Sequence, residues 1–240
     1  MSRAEGAYAR ALKEIARHVG AIIAGSYTES KDEHSISAML NAYADALKPW
    51  ATATARRMIE DVNARDLASW KALGREISAQ LRFDITRAPV GETMRALLGE
   101  QVGLIQSLPI EAAQRVHEFT LKGLEGSLRQ NEVAAAILRS SEVAQSRAVL
   151  IARTEVARTA SVLTQSRAVH IGSTHYVWET AHDRDVRPGH KAMQGKVCEW
   201  ANPPAVNENG RIMYHHPGQI WNCRCWPRPI IPTEPVGRPA

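Results

Sequence analysis

At Gly172 the composition of the chain changes abruptly, and that change constrains the fold more than any other feature. Upstream, Ala, Leu, Arg and Glu dominate, and apolar residues recur every three or four positions, the period of an amphipathic helix. Downstream, His, Trp, Pro, Gly and Cys take over, and the apolar residues fall into short alternating runs. Such patterning specifies an α+β protein: a mainly helical N-terminal region followed by a small loop-rich module with a short antiparallel sheet.

Upstream of Gly172 the helices are read from their apolar faces and punctuation. The first spans Ala4 to Ala24 and closes at Gly25-Ser26, with the polar stretch Thr28 to His34 as a connector. A second starts near Ser35, with Ile36, Met39, Leu40, Tyr43 and Leu47 on one face, and Pro49 kinks it or starts the next, which runs from Trp50 to Leu73 with Gly74 as a break. A further helix from Arg87 to Ser107 is expected to close before Pro109, which then begins another reaching Leu128. A short helix from Asn131 to Arg139 is followed by a long one, residues 141–171, capped by Ser140-Ser141 and ended by Gly172. Heptad spacing is not sustained, so no coiled coil is expected.

In the downstream module His175-Tyr176-Val177-Trp178-Glu179-Thr180 alternates like a strand. Four of the six tryptophans (Trp178, Trp200, Trp221, Trp226) lie here and would supply large rings to a small core. Pro188 restarts the chain as a short helix reaching Met193 before Gly195. From Pro227 onward the prolines predict an extended segment that pairs its backbone poorly.

The 240 residues, 44% hydrophobic, suffice for a core. No run approaches the roughly 20 apolar residues of a bilayer span, and the N-terminus has no signal-like apolar block, so a soluble protein made in the cytoplasm is expected. The net charge of +5 is uneven: residues 151–240 hold 11 Lys/Arg against 7 Asp/Glu, whereas residues 1–150 hold 19 against 18. A modest basic excess suits DNA or an acidic protein surface, although an excess of this size is more often an ordinary solvated face.

Three constellations could carry chemistry. On the long helix, Ala152-Arg153-Thr154-Glu155 sets a guanidinium into an apolar run, where it could turn inward to Asp183 or Asp185, while Glu155 and Arg158 are spaced to pair across a turn. The mixed-charge stretch His182-Asp183-Arg184-Asp185 with Arg187 and His190 reads either as a structural turn, its Asp side chains bonding turn amides and Arg187 neutralising them, or as a metal or acid-base site. The third is the Cys198, His215, His216, Cys223 and Cys225 set, a candidate structural zinc site in which Cys223, Cys225 and Cys198 would be joined by His216 or His190. Against it, Cys223-Arg224-Cys225 has one intervening residue, which in an extended strand leaves the β-carbons about 7 Å apart. Free buried thiols are the competing reading, and an odd cysteine count cannot close a complete set of internal disulfides.

Taken in order, Ala152-Arg153-Thr154-Glu155, Trp178-Glu179-Thr180, Asp183 through His190, Gly195, Pro203-Pro204, His216-Pro217-Gly218 and Asn222-Cys223-Arg224-Cys225 resemble the phage Mu F-like minor head protein family, over roughly residues 130 to 230. The resemblance implies a head morphogenesis protein inside the virion, bound to portal or major capsid protein and in some members to packaged double-stranded DNA, and a structural component in place of an enzyme. It divides the chain into a partner-docking helical region (1–130), the Mu F-like module (131–230) and a Pro-rich tail (231–240). Arg153, Glu155, Trp178, Asp183, Arg187, His190, Gly195, Cys223 and Cys225 match the family pattern and are expected to form its scaffold, whereas Cys198 lies outside that pattern. A metal-dependent nuclease or toxin-like enzyme using His182, Asp183, Asp185 and His190 is the competing class, and a DNA-binding internal virion protein a third.

Overall fold

The computed structural model describes residues 3–29, 33–73 and 79–232. Helices come first and the antiparallel sheet last, so the α+β class holds. The helices are α1 (Arg3–Glu29), α2 (Glu33–Ala46), α3 (Lys48–Leu73), α4 (Ala79–Arg87), α5 (Gly91–Leu124) and α6 (Gln130–His170). Then follow β1 (His175–Glu179), α7 (Pro188–Lys191), β2 (Val197–Glu199), β3 (Ala205–Glu208), β4 (Arg211–Tyr214) and β5 (Trp226–Pro229). No helix among the described residues is long and apolar enough to cross a membrane.

Three expected breaks are not breaks. α1 runs through Gly25 to Glu29, because one glycine costs a helix only about 1 kcal/mol relative to alanine. α5 contains Pro109: the ring forfeits one backbone bond, but Ile105, Leu108, Ala112 and Ala113 are buried on both sides of it, and that packing outweighs the loss. Ser140 and Ser141 do not cap a helix; their hydroxyls donate back to Ala136 O (3.4 Å) and Leu138 O (3.0 Å) inside one continuous α6. α6 begins where the Arg129 N–H donates to the Glu132 carboxylate (2.7 Å), and it ends as expected, with Ser173 N bonded to Ala168 O. The expected break at Gly74 lies outside the described residues.

The chain divides into two compact units, and not at residue 130. The first comprises 1–57 and 98–152. Its core is helical: Leu12, Val19 and Ile23 of α1, Ile36 and Leu40 of α2, Ile105 and Leu108 of α5, and Ile137 of α6. Buried Gln101 accepts the Tyr8 hydroxyl (3.0 Å), and Gln106 donates to Ala44 O (2.9 Å).

The second unit comprises 58–97 and 153–240. The boundary differs because α3, α5 and α6 each contribute one stretch to each unit. Trp70, Leu81 and Ile85 from the first half of the chain join Ala168, Ile171, Tyr176, Trp178, Met193, Trp200 and Ile220 in one apolar core. Asp66 of α3 is clamped to α6, where Arg167 pairs with it and Thr164 donates to it (2.5 Å), while Arg167 also donates to Asn63 (2.5 Å).

In the three-stranded sheet β1 lies between β2 and β5, both antiparallel to it, with Tyr176 opposite Cys198 and Trp178 opposite Pro227. β5 corrects the expectation that the proline-rich segment would not pair. Ile230 N bonds to His175 O (3.0 Å), so alternation points the backbone N positions of Trp226 and Arg228 toward β1 and leaves Pro227 and Pro229 on the open side of an edge strand. The same alternation turns Trp226 outward and Pro227 inward. Trp221 is also exposed, so only two of the four module tryptophans serve the core, and Trp70 joins them. β3 and β4 form a hairpin turned by Asn209 and Gly210, both at positive φ.

Candidate functional site

The module's polar centre is built where α7, β3 and the Cys223–Cys225 turn converge. His190 of α7 is buried to 2% exposure. Its Nδ1 lies 3.3 Å from Cys225 Sγ and 3.4 Å from Cys223 Sγ. Its Nε2 is hydrogen bonded to Glu208 Oε1, and that oxygen also lies 3.1 Å from His215 Nε2. Arg187 Nη1 donates to the other Glu208 oxygen (2.9 Å) and Arg187 Nη2 to Trp221 O. The Trp178 ring packs edge-on to His190, with ring centres 5.5 Å apart.

The backbone brings the parts together for local reasons. Pro188 at the first turn starts α7. Gly189 touches β3 so closely that a β-carbon would lie 2.0 Å from Asn207 O. Gly195, at φ +75°, returns the chain to β1, its N–H bonding Trp178 O (2.8 Å). Thr180 and Glu179 both bond Gln194 across the same turn.

The cysteine turn is held from α6. Arg153 Nη1 donates to Asn222 Oδ1 (3.0 Å), the Asn222 N–H donates to Thr154 Oγ1 (2.9 Å), and Ser161 Oγ donates to Pro217 O (2.7 Å). Glu155 pairs with Arg158 (3.3 Å), as its spacing implied. Cys225 N–H bonds Cys223 Sγ (3.4 Å), curling the chain so that both sulfurs face His190. The extended geometry that would separate them does not occur.

Arg224, between the two cysteines, points away and grips Asp183 with both terminal nitrogens (2.6 and 2.8 Å), with Asp185 at 3.5 Å. Asp183 also accepts the Asp185 N–H (3.0 Å), the turn-stabilising role expected of it. Arg224, with Arg184 beside Asp185 (3.7 Å), therefore neutralises these aspartates, whereas Arg187 serves Glu208 and Arg153 serves Asn222.

Of the sequence-derived metal candidates, the structure brings Cys223, Cys225 and His190 together and places Cys198 and His216 elsewhere. His216 Nδ1 lies 2.9 Å from the Tyr176 hydroxyl, and Cys198 flanks the same tyrosine. His182, Asp183 and Asp185 lie on an exposed turn and form no ligand cluster with buried His190 among the described residues. That separation leaves the nuclease constellation unassembled.

Electrostatics reinforce the grouping. The Cys225 thiol donating to Cys223 holds the Cys223 sulfur well below the ordinary thiol range, against burial and with His190 assisting, while Cys225 is pushed up as it retains the proton. Burial opposes a charge on His190, but Cys223 and Glu208 outweigh it and hold the ring above the ordinary histidine range. Burial would raise Glu208, yet His190 and Arg187 keep its carboxyl below the usual range. His216 is lowered by burial and by His215, and Cys198 is raised by burial. An imidazole facing two sulfurs, with its far nitrogen on a carboxylate, is a donor set for a soft cation.

Glu208 is the member of this centre that the motifs did not reveal. The available signal was Asn209-Gly210, whose tight turn places Glu208 at the end of a hairpin strand.

Residues 114–227 match the family model described as Phage Mu protein F like protein. An uncharacterized protein of Haemophilus influenzae (strain ATCC 51907 / DSM 11121 / KW20 / Rd) is 29% identical over 158 residues, which cover 66% of this chain and 33% of the relative. The aligned part is thus about a third of that curated relative's length. No solved structure matches the chain. The matched span contains α6, most of the sheet and the buried His190–Glu208 centre, and over it the chain is similar to the phage Mu F-like family.

Proposed function

We propose that this protein is a minor head component of a tailed phage, carried inside the capsid in contact with portal or major capsid protein and assisting head assembly, DNA packaging or ejection. The observation that carries this reading is the family match over residues 114–227, since the residues that follow the family pattern are engaged in holding one another. Arg153 fixes the cysteine turn, Asp183 takes Arg224, Arg187 takes Glu208, and Trp178 and His190 are buried. A module whose motif residues are spent on internal contacts acts as a rigid part and not as a reaction centre. In this reading the helices of residues 1–57 and 98–152 supply the docking surface.

The basic balance of residues 151–240 favours a second reading, direct contact with packaged duplex DNA. The two are separated by phage carrying a nonsense mutation in the reading frame and by binding assays on the purified chain. The first predicts heads that assemble or eject poorly and a chain that binds portal or capsid protein. The second adds duplex binding whose log affinity falls steeply with log salt. Fully infectious particles without the chain, together with no binding to portal, capsid or DNA, would refute both.

A further inference from the structure

We propose that His190 Nδ1, Cys223 Sγ and Cys225 Sγ bind one zinc ion, with Glu208 orienting His190 from behind. The inference rests on the module's own geometry and is independent of which head protein it contacts.

Zinc bonds sulfur at about 2.3 Å and imidazole nitrogen at about 2.0–2.1 Å, and a tetrahedral angle then separates nitrogen from sulfur by about 3.5 Å. The two nitrogen–sulfur separations here are 3.3 and 3.4 Å, each within a few tenths of an ångström of that value, and the three donor atoms all lie within 4.8 Å of one another. All three residues are buried.

The surroundings are those of anionic sulfur. Cys223 Sγ accepts two backbone N–H groups, from Gly218 and Cys225, each at 3.4 Å. A neutral thiol is a weak acceptor, and paired amide donors are better matched by a metal-bound thiolate. The Trp178 indole N–H is buried with no partner of its own and faces the Cys225 sulfur. It would be satisfied by a thiolate there.

Behind His190, Glu208 completes a carboxylate–histidine–metal relay: the Nε2–H donates to the carboxylate, which fixes the tautomer that presents the Nδ1 lone pair to the sulfurs. The cluster of His190, Glu208 and His215 also has metal-ligand chemistry, but Arg187 lies 2.9 Å from Glu208 and 3.5 Å from His190 Nε2. A fixed guanidinium repels a second cation at that place, which assigns the ion to the sulfur side. Two sulfurs and an imidazole select zinc over the hard cations. Among the described residues no fourth Cys, His, Asp or Glu joins the set, so the fourth position falls to a small ligand such as water.

The test uses the full chain, purified without chelator, with metal content measured by elemental mass spectrometry and the reduced apoprotein titrated with cobalt(II). Expected are about one zinc per chain and, with cobalt, a sulfur-to-metal charge-transfer band accompanied by visible bands of a tetrahedral ion. Cys223→Ser and Cys225→Ser lose the charge-transfer intensity, and Cys198→Ser retains it. Glu208→Gln binds cobalt roughly 10- to 100-fold more weakly. Circular dichroism of each variant separates loss of metal from loss of fold. A wild-type chain that carries no zinc and gives no band when reduced overturns the proposal. So does a Cys198→Ser variant that loses metal as fully as Cys223→Ser.

Discussion

Gly189 and Asn207 are in backbone contact: a β-carbon added to Gly189 would lie 2.0 Å from the Asn207 carbonyl oxygen and 3.0 Å from its carbonyl carbon. This contact seats α7 on β3, and the next residue on each side, His190 and Glu208, is thereby brought into hydrogen bond. Backbone cannot yield as a flexible side chain can. Gly189→Ala is therefore expected to lower unfolding stability by about 1–3 kcal/mol. Denaturant titration of the variant checks this, and a change below about 0.5 kcal/mol, within the range of a neutral surface substitution, would contradict the packing.

The Asp66–Arg167 pair joins α3 to α6 inside the second unit with both side chains almost fully buried. Burial pushes the Asp66 carboxyl up, opposed by Thr164 and Arg167. Asp66→Ala leaves a buried guanidinium without its carboxylate and is expected to cost about 3–5 kcal/mol. Replacing both, as Asp66→Leu with Arg167→Met, should cost much less than the single change. Equal losses in single and double variants would show that the charge pairing is not the source.

A fragment of residues 131–240 contains most of the family match but lacks Asp66, Trp70, Leu81 and Ile85. It is expected to show helical circular dichroism with weak near-ultraviolet signal and no cooperative unfolding. A cooperative thermal transition in that fragment would contradict the shared core.

Glu179 accepts from Gln194 Nε2 (2.6 Å) and pairs with Arg228 (2.9 Å), and these two partners hold its carboxyl below the usual range. A folded-state value below the unfolded one contributes stability above the unfolded value, near 4.3, and loses it as pH falls through the folded value. Stability should therefore decline below about pH 4, with Glu179 accounting for less than about 1 kcal/mol because Arg228 is well exposed. Glu179→Gln should flatten that part of the profile. An unchanged acid slope in the variant would remove Glu179 from the account.

These residues also mark what was legible in the sequence. The strand around Trp178, the C-terminal end of α6, the start of α7 at Pro188 and the Glu155–Arg158 pair are set by local pattern, and the structure has them where that pattern places them. Long-range choices were not legible. An amphipathic helix announces that a face is buried, not against what, so nothing in Leu67 or Trp70 names the sheet as its partner. Arg153 had two aspartates in plausible reach and is seen on Asn222, 69 residues away. The bend that unites Cys223 and Cys225 depends on a backbone N–H reaching sulfur, a contact that an extended strand conceals.

The central claim, a head component built on a Mu F-like module, is tested most directly by quantitative mass spectrometry of purified virions, with chemical cross-linking inside the intact head. Expected are peptides from both units of this chain at low copy per particle, with cross-links from the helical unit to portal or major capsid protein. Purified DNA-filled heads that contain no peptide of this chain, from a phage that expresses it, would contradict the account.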